Sequence, residues 1–143
     1  MQASTEDIVR LFWQLDHQLI GWVKKVADTP FAINTFLALE FINQDGPLPM
    51  KDISEIMEIT PASISALVGK LESYGWVQRK PDEKDHRIAL IFTTDSGRTA
   101  LVDYYQLMGR FFEGKLTRDQ QEQLVKLLQN LTSPDRHSTP VVE

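Results

Sequence analysis

Large apolar side chains recur at steps of three and four over two long stretches of the chain. The first stretch runs from Thr5 to about Ala27, and its stripe comprises Ile8, Phe12, Leu15, Leu19, Trp22 and Val26. The second follows a capping residue, Thr94 or Asp95, and its stripe comprises Leu101, Tyr104, Tyr105, Met108, Phe111 and Phe112. This spacing places each set on one face of a helix, so the pattern predicts two long amphipathic helices. A last helix is predicted to start at Leu116-Thr117, where Thr117-x-x-Gln120 fits a capping box.

The second predicted helix begins at Thr29-Pro30, because Thr caps helices and Pro suits the first helical position. Its apolar face consists of Ile33, Phe36, Leu37 and Phe41. The turn signal Asp45-Gly46-Pro47 ends it, and Leu48-Pro49-Met50 is typical of a short extended segment.

Two short helices follow, over residues 52–57 and 61–74, and only three residues join them. Ile53 and Ile56 should face inward in the first. Helices joined this tightly must cross, as in a helix-turn-helix. The outward face of the second helix should then carry small or hydrogen-bonding side chains, namely Ala62, Ser63, Ser65, Ala66, Gly69 and Lys70. Such a face can approach base edges in a major groove about 12 Å wide, although the surface of an ordinary core helix fits this pattern equally well.

Two apolar-rich segments, residues 76–80 and 88–92, flank a charged run and are predicted to pair as a β-hairpin. A hairpin directly after a helix-turn-helix forms a wing, which can reach the DNA backbone or the minor groove. The cations that its tip needs are Lys80, Lys84 and Arg87, with Asp82 and Asp85 placed to orient them. Taken alone, the run is also typical of a solvated loop.

The net charge of -5 has the wrong sign for a generic polyanion binder. Residues 50–98, however, carry seven basic and eight acidic groups, a balance of -1 that leaves room for a local basic surface. There is no cysteine, which excludes disulfides, thiol nucleophiles and thiolate metal sites. The amino terminus lacks a signal pattern and no apolar run approaches the ~20 residues that span a membrane. We therefore expect a cytoplasmic protein without a membrane partner.

No catalytic constellation stands out. His17, His86 and His137 lie in three different segments, and there is neither a G-x-S-x-G motif nor a distinctive carboxylate pair. A metal site would need clustered His and carboxylate ligands. The expectation is therefore a protein that is not an enzyme and has no cofactor and no metal.

Six segments resemble the MarR family of winged-helix regulators. They are Ile53-Ser54-Glu55-Ile56-Met57, Thr60-Pro61-Ala62-Ser63-Ile64-Ser65, Leu71-Glu72-x-x-Gly75-Trp76-Val77, Arg79-Lys80-Pro81-Asp82, Asp85-His86-Arg87 and Thr94-x-x-Gly97. The similarity runs without a gap from about Pro30 through Gly97 and extends weakly to the last helix. The Asp-x-Arg motif of the wing, with a glycine on either side at the correct spacing, is fairly specific. Two departures are Glu58, where the family often has Gly, and Ala66, where it often has Arg.

The resemblance implies a mainly α fold with a small β-hairpin wing, a winged helix-turn-helix, in a single domain. Residues 30–98 would bind DNA, residues 1–28 and 99–132 would form the dimerisation helices, and residues 133–143 would be a loose tail. The implied function is a sequence-specific DNA-binding transcriptional regulator, with repression as the expected activity. It would bind a pseudo-palindromic operator in double-stranded DNA as a homodimer. The DNA-binding residues would be Thr60, Ser63, Ser65, Lys70, Arg79, Lys80, Lys84, Asp85 and Arg87, with Arg87 in the minor groove.

The long apolar stripes favour a homodimer independently, because a small winged helix cannot cover them. The resemblance also places a small-molecule effector pocket between the dimer helices and the winged helix. Its candidate residues are Trp13, His17, Trp22, Phe31 and Phe36, although plain aromatic core is the simpler interpretation. The alternative function is a winged-helix module that binds only protein.

Overall fold

The computed structural model describes residues 2–26 and 33–133. These form the helices and strands α1 Thr5–Val26, α2 Ile33–Asp45, β1 Leu48–Pro49, α3 Met50–Met57, α4 Pro61–Ser73, β2 Val77–Pro81, β3 Ala89–Thr93, α5 Asp95–Phe112 and α6 Arg118–Thr132. The prediction of a mainly helical winged helix-turn-helix is confirmed. The chain divides into two compact units after Phe111, and α6 belongs to the second. The predicted helix start at Thr29-Pro30 and the predicted tail after Ser133 lie outside the described residues.

The sheet is antiparallel, and β3 is its central strand. β2 and β3 form the predicted hairpin, with five residue pairs from Val77↔Thr93 to Pro81↔Ala89. β1 adds two further pairs on the other side of β3, Leu48↔Ile91 and Pro49↔Leu90. The extended segment was predicted but its pairing was not, because two residues are too few to show a strand alternation.

The core lies where α2, α3, α4, α5 and the base of the hairpin meet. Its fully buried large side chains are Leu39, Ile42, Ile53, Ile64, Leu71, Ile91, Val68 and Val77. Burying one Val, Leu or Ile stabilises a fold by about 1.5–3 kcal/mol, so this set holds the winged helix together.

The inward position predicted for Ile56 is wrong, since this side chain is 38% exposed. α3 buries Ile53 and Ser54 and packs Met57 against the core. Ile56 follows Ile53 by three residues, so its side chain is rotated about 60° around the helix axis from that of Ile53. The rotation is in the direction away from Ser54, and therefore out of the buried face. The Ser54 hydroxyl uses its inward position to donate to the Ile59 carbonyl at 2.6 Å.

The apolar stripes of the long helices are largely uncovered in a single chain. On α1, Val23 is the one buried residue of the helix, whereas Ile8, Phe12 and Leu15 are exposed. On α6, none of the residues from Arg118 to Thr132 is buried, and Leu131 is 74% exposed. The predicted capping box of α6 is present, with Thr117 and Gln120 bonding reciprocally.

Candidate nucleic-acid interface

The amino end of α4 is fixed by its capping residue. Thr60 has an extended backbone, and its Oγ1 accepts a hydrogen bond from the Ser63 backbone N–H at 3.2 Å. The same hydroxyl donates to Ser63 Oγ at 2.9 Å, and Pro61 occupies the first helical turn. This cap sets the direction of the helix and keeps the Ser63 hydroxyl at its exposed end.

α4 has two chemically different faces. Ile64, Val68 and Leu71 are completely buried. The exposed face carries Ala62, Ser63, Ser65, Ala66, Gly69 and Lys70. These side chains are short or end in hydrogen-bonding groups, which suits a helix that enters a major groove and approaches base edges closely.

Glu58 forms the turn between α3 and α4 in a left-handed conformation, with φ 54° and ψ 40°. Among the described residues other than glycine, it alone has a positive φ. A side chain in this region costs roughly 1–2 kcal/mol, which explains why glycine suits the position. The exposed carboxylate also lies two residues before the Thr60 cap, so it adds negative charge next to α4.

Two glycines shape the base of the wing. Gly75 has φ +75° and ends α4, with its N–H donating to the Glu72 carbonyl at 2.9 Å. Its own carbonyl accepts from the Thr94 hydroxyl at 2.6 Å. Gly97 lies so close to the Trp76 carbonyl that a Cβ there would overlap it. The start of α5 can therefore lie directly against the turn that connects α4 to β2.

The wing tip is a closed loop between the two strands. The Asp82 N–H donates to the Ile88 carbonyl at 2.9 Å, and the Ile88 N–H donates to the Asp85 carbonyl at 3.0 Å. The Asp82 carboxylate accepts from the Lys84 N–H at 2.9 Å. These bonds within the loop order a highly charged segment without any contribution from the core.

Arg87 stands at this tip with its guanidinium held by Asp85. Nε donates to Asp85 Oδ1 at 3.0 Å, and Nη2 donates to Oδ2 at 3.3 Å. The Arg87 side chain is nevertheless 91% exposed. Hydrogen bonds from the Arg87 side chain, and then from its backbone N–H at 3.1 Å, lower the pKa of Asp85 below its ordinary value. The result is a cation that is oriented and accessible at the same time.

The other predicted cations have different surroundings. Lys70 and Lys84 are exposed, and Lys80 lies over the Phe92 ring, 5.4 Å from its centroid. Arg79 instead donates from both Nε and Nη2 to Oε1 of Glu72 at 2.9 Å and 2.6 Å. The hydrogen bond to Glu72 raises the pKa of Arg79 above its ordinary value. The sequence did not predict that Glu72 pairs with Arg79. The two residues are seven apart and lie on either side of a helix end, and this spacing carries no recognisable signal.

The residues predicted to line an effector pocket make separate contacts. Trp13 is 70% exposed, Trp22 meets Phe111 edge to face at 5.9 Å, and Phe36 stacks on Tyr104 at 3.7 Å. His17 is exposed, and Phe31 lies outside the described residues.

A surface cavity of about 480 Å³ lies beside Phe36 and is bordered by Trp76, by Tyr104 and by other residues of α5 between Ser96 and Leu107. Sequence reasoning missed Trp76 and Tyr104 as lining residues. The predicted effector pocket stays a prediction.

The described part of the chain contains no group of three or more His, Asp or Glu side chains that could hold a metal ion. Over the same residues, every helix is too short or too polar to cross a membrane.

Comparison with known proteins relates this geometry to one family. The MarR family model matches residues 28–88. The HTH-type transcriptional regulator YpoP of Bacillus subtilis is 23% identical over 106 residues, which cover 74% of this chain and 75% of that protein. A MarR-family regulator from Rhodococcus is 26% identical, with a TM-score of 0.69 over 94% of this chain and 98% of its own.

A Staphylococcus aureus MepR–DNA complex has the same fold at 20% identity, with a TM-score of 0.63 over 91% of this chain and 97% of its own. The relatives named above are transcriptional regulators rather than enzymes. The helix-turn-helix, the wing and the match of residues 28–88 agree, and the chain is similar to the MarR family of winged helix-turn-helix transcriptional regulators.

Proposed function

We propose that this protein binds a pseudo-palindromic DNA operator as a homodimer and regulates transcription there. The observation that carries the proposal is the Arg87 guanidinium, exposed at the end of the wing and oriented by Asp85. An arginine cannot lose its charge and is weakly hydrated, so it suits insertion into a narrow, electronegative minor groove.

The remaining predicted residues have roles that follow from their positions. α4 enters the major groove, where Ser63 and Ser65 face base edges and Lys70 faces a phosphate. Lys80 and Lys84 approach the backbone beside the wing. Thr60 acts through the cap that orients α4, and the free N–H groups of that helix end can hold a phosphate.

A second copy of the chain covers the exposed apolar stripes. Removing apolar surface from water contributes about 25 cal/mol per Å², and α1 alone presents Ile8, Phe12 and Leu15 to solvent. We propose that α1, α5 and α6 form the dimer interface, with residues 1–28 and 99–132 devoted to it and residues 30–98 to DNA. A two-fold dimer would present two α4 helices to successive half-sites of a palindrome.

Repression is the expected direction of regulation, since a dimer that occupies a promoter excludes other proteins from the same duplex. Release by a small-molecule effector belongs to the same proposal. Support comes from the cavity beside Phe36, whose border joins α2, the turn before β2 and α5. An occupant there would alter the packing at the base of the wing. The site of action is then the cytoplasm, where chromosomal DNA is available.

The alternative is a winged helix that binds only protein, which would leave Arg87 without a role in DNA binding. Selection of bound duplexes from a random pool separates the two functions. We expect enrichment of a palindrome by the wild-type protein and loss of that enrichment for Arg87→Ala. No enrichment by the wild-type protein would favour the alternative.

A further inference from the structure

An ion pair joins α4 to the wing. Glu72 lies in the last turn of α4, and Arg79 is the middle residue of β2. Two guanidinium N–H groups of Arg79 converge on a single carboxylate oxygen of Glu72 at 2.9 Å and 2.6 Å. Both side chains remain partly exposed, so the pair lies at the edge of the fold and not in its core.

The position of Arg79 on the strand explains why its side chain reaches α4. Arg79 pairs with Ile91, which is completely buried, and paired residues of an antiparallel ladder share one face. Val77, two residues earlier on that face, is also buried. Gln78 and Lys80 point to the opposite face. On this face of β2, Val77 is therefore the last buried residue, and Arg79 is the first that lies outside the core.

Beyond Arg79 the hairpin has little packing. Every residue of β2 after Val77 is exposed, and so is Ala89 at the start of β3. Val77 and Ile91 anchor the base of the wing in the core. The angle between the outer half of the wing and α4 therefore depends on the pairing of β1 with Ile91 and Leu90, on the two-stranded ladder beyond them and on the Glu72–Arg79 pair.

Small changes in this angle matter at the tip. The tip lies about five residues beyond Arg79, or roughly 15 Å at the rise of a β-strand. A rotation of about 10° at the base would then move the tip by about 3 Å, which is the length of a hydrogen bond. Arg87 could not keep a contact in a narrow groove through such a displacement.

We propose that Glu72 and Arg79 form a brace that holds the wing at the angle required for DNA binding, and that Arg79 does not itself neutralise a phosphate. This inference rests on the proposed DNA-binding function and refines it, because it makes Arg79 a positioning residue, unlike Lys84 and Arg87. A partly exposed ion pair adds little to global stability. The brace therefore acts on the geometry of the wing and not on the folding of the protein.

Salt dependence distinguishes a brace from a phosphate contact. Each neutralised phosphate contributes about -0.9 to the slope of log affinity against log salt. For a brace, Arg79→Met and Glu72→Ala each lower operator affinity by about fivefold per half-site and make the slope shallower to the same extent, because either change displaces the cations of the wing tip. A direct phosphate contact predicts that Arg79→Met makes the slope shallower by about 0.9 per half-site, whereas Glu72→Ala keeps the slope and raises affinity by releasing the cation. A gain of affinity in Glu72→Ala, or a change of slope in Arg79→Met alone, would overturn the brace.

The double variant and a matched control complete the binding experiment. Glu72→Ala combined with Arg79→Met should bind no more weakly than either single variant, since all three remove the same interaction. Lys51→Met is the control, because Lys51 pairs with Glu55 inside one helix, α3, and is not one of the proposed DNA contacts. Its affinity should match that of the wild type. An equal loss in Lys51→Met would mean that total charge, and not the brace, controls binding.

Hydrogen exchange of the full-length protein without DNA tests the brace independently. The amides in the outer rungs of the β2–β3 ladder should exchange faster in Arg79→Met and Glu72→Ala, and at the wild-type rate in Lys51→Met. Unchanged exchange in the first two variants would refute the brace. If the wild-type protein binds no duplex at all, the proposed DNA-binding function fails, while the exchange rates still decide whether the brace exists.

Discussion

Asp85 holds the Arg87 guanidinium through two hydrogen bonds, at 3.0 Å and 3.3 Å, although Arg87 itself is almost fully in solvent. The loop bonds at Asp82 and Ile88 fix the backbone on which both residues stand. Pre-orientation of this kind lowers the conformational entropy that an arginine loses when it binds. The ordered backbone of the wing tip therefore favours the contact that we propose for Arg87 in the minor groove.

Replacing Arg87 tests this connection directly. We expect Arg87→Ala to weaken operator binding by roughly 1–3 kcal/mol per half-site. The melting temperature should hardly change, because the side chain is exposed and its one ion pair lies within the loop. Arg87→Lys should recover only part of the loss, since the charge remains but the planar fork is absent. Fluorescence anisotropy with a selected operator, run beside thermal melts, measures both quantities; lost stability in Arg87→Ala would make Arg87 a structural residue instead.

Asp85 should matter less than Arg87 and should not make binding depend on pH in the neutral range. Its pKa is lowered from 3.8, so its stabilising effect is fully present above that value and disappears as the pH falls through the lower folded-state pKa. Asp85→Asn should weaken operator binding by less than Arg87→Ala. The ratio of wild-type to Asp85→Asn affinity should stay constant from about pH 5.5 to 8. A ratio that falls steadily toward pH 5.5 would contradict this assignment.

Glu58 should reduce both stability and DNA affinity. Glu58→Gly relieves the left-handed strain and is expected to stabilise the protein by about 0.5–1 kcal/mol in chemical denaturation. It also removes a negative charge beside α4 and should raise operator affinity. Glu58→Gln is the matched control, because it removes the charge but keeps the strained conformation; its affinity should rise without a gain in stability. Equal stability of Glu58→Gly and wild type would show that the strain is negligible.

Gly97 should tolerate no side chain, in contrast to another glycine on the same helix. Gly97→Ala forces a Cβ against the Trp76 carbonyl and should destabilise the protein by about 1–3 kcal/mol. A Cβ at Gly109 meets open space, and Gly109→Ala should stabilise α5 by up to about 1 kcal/mol. Urea denaturation of both variants gives the comparison, and similar changes in the two would rule out close packing at Gly97.

The proposed dimer predicts the behaviour of a truncated chain. Deleting the first 20 residues removes Ile8, Phe12 and Leu15 and should expose the complementary apolar surface of the partner. We expect aggregation or loss of cooperative unfolding, measured by sedimentation velocity and thermal melts. A soluble monomer that unfolds cooperatively after this deletion would contradict the dimer interface.

The sequence by itself determined the features that depend on neighbours along the chain. Three such features could be predicted, because each involves groups within a few residues of one another. They are the cap at Thr60, the capping box at Thr117 and the left-handed turn at Gly75. The apolar stripes of the long helices could be predicted for the same reason, since helical periodicity is a local property. The wing followed from a charged turn between two apolar segments, and the family resemblance added the expected roles of Asp85 and Arg87.

Only the tertiary structure decided which elements meet and which polar groups pair across them. The pairing of Leu48 with Ile91, the stacking of Phe36 on Tyr104 and the hydrogen bonds from Arg79 to Glu72 all join different elements. The outward position of Ile56 was likewise set by the packing of α3 against its neighbours. Sequence periodicity specifies a face of an element, whereas its partner is chosen by the packing of the whole core, which no local pattern encodes.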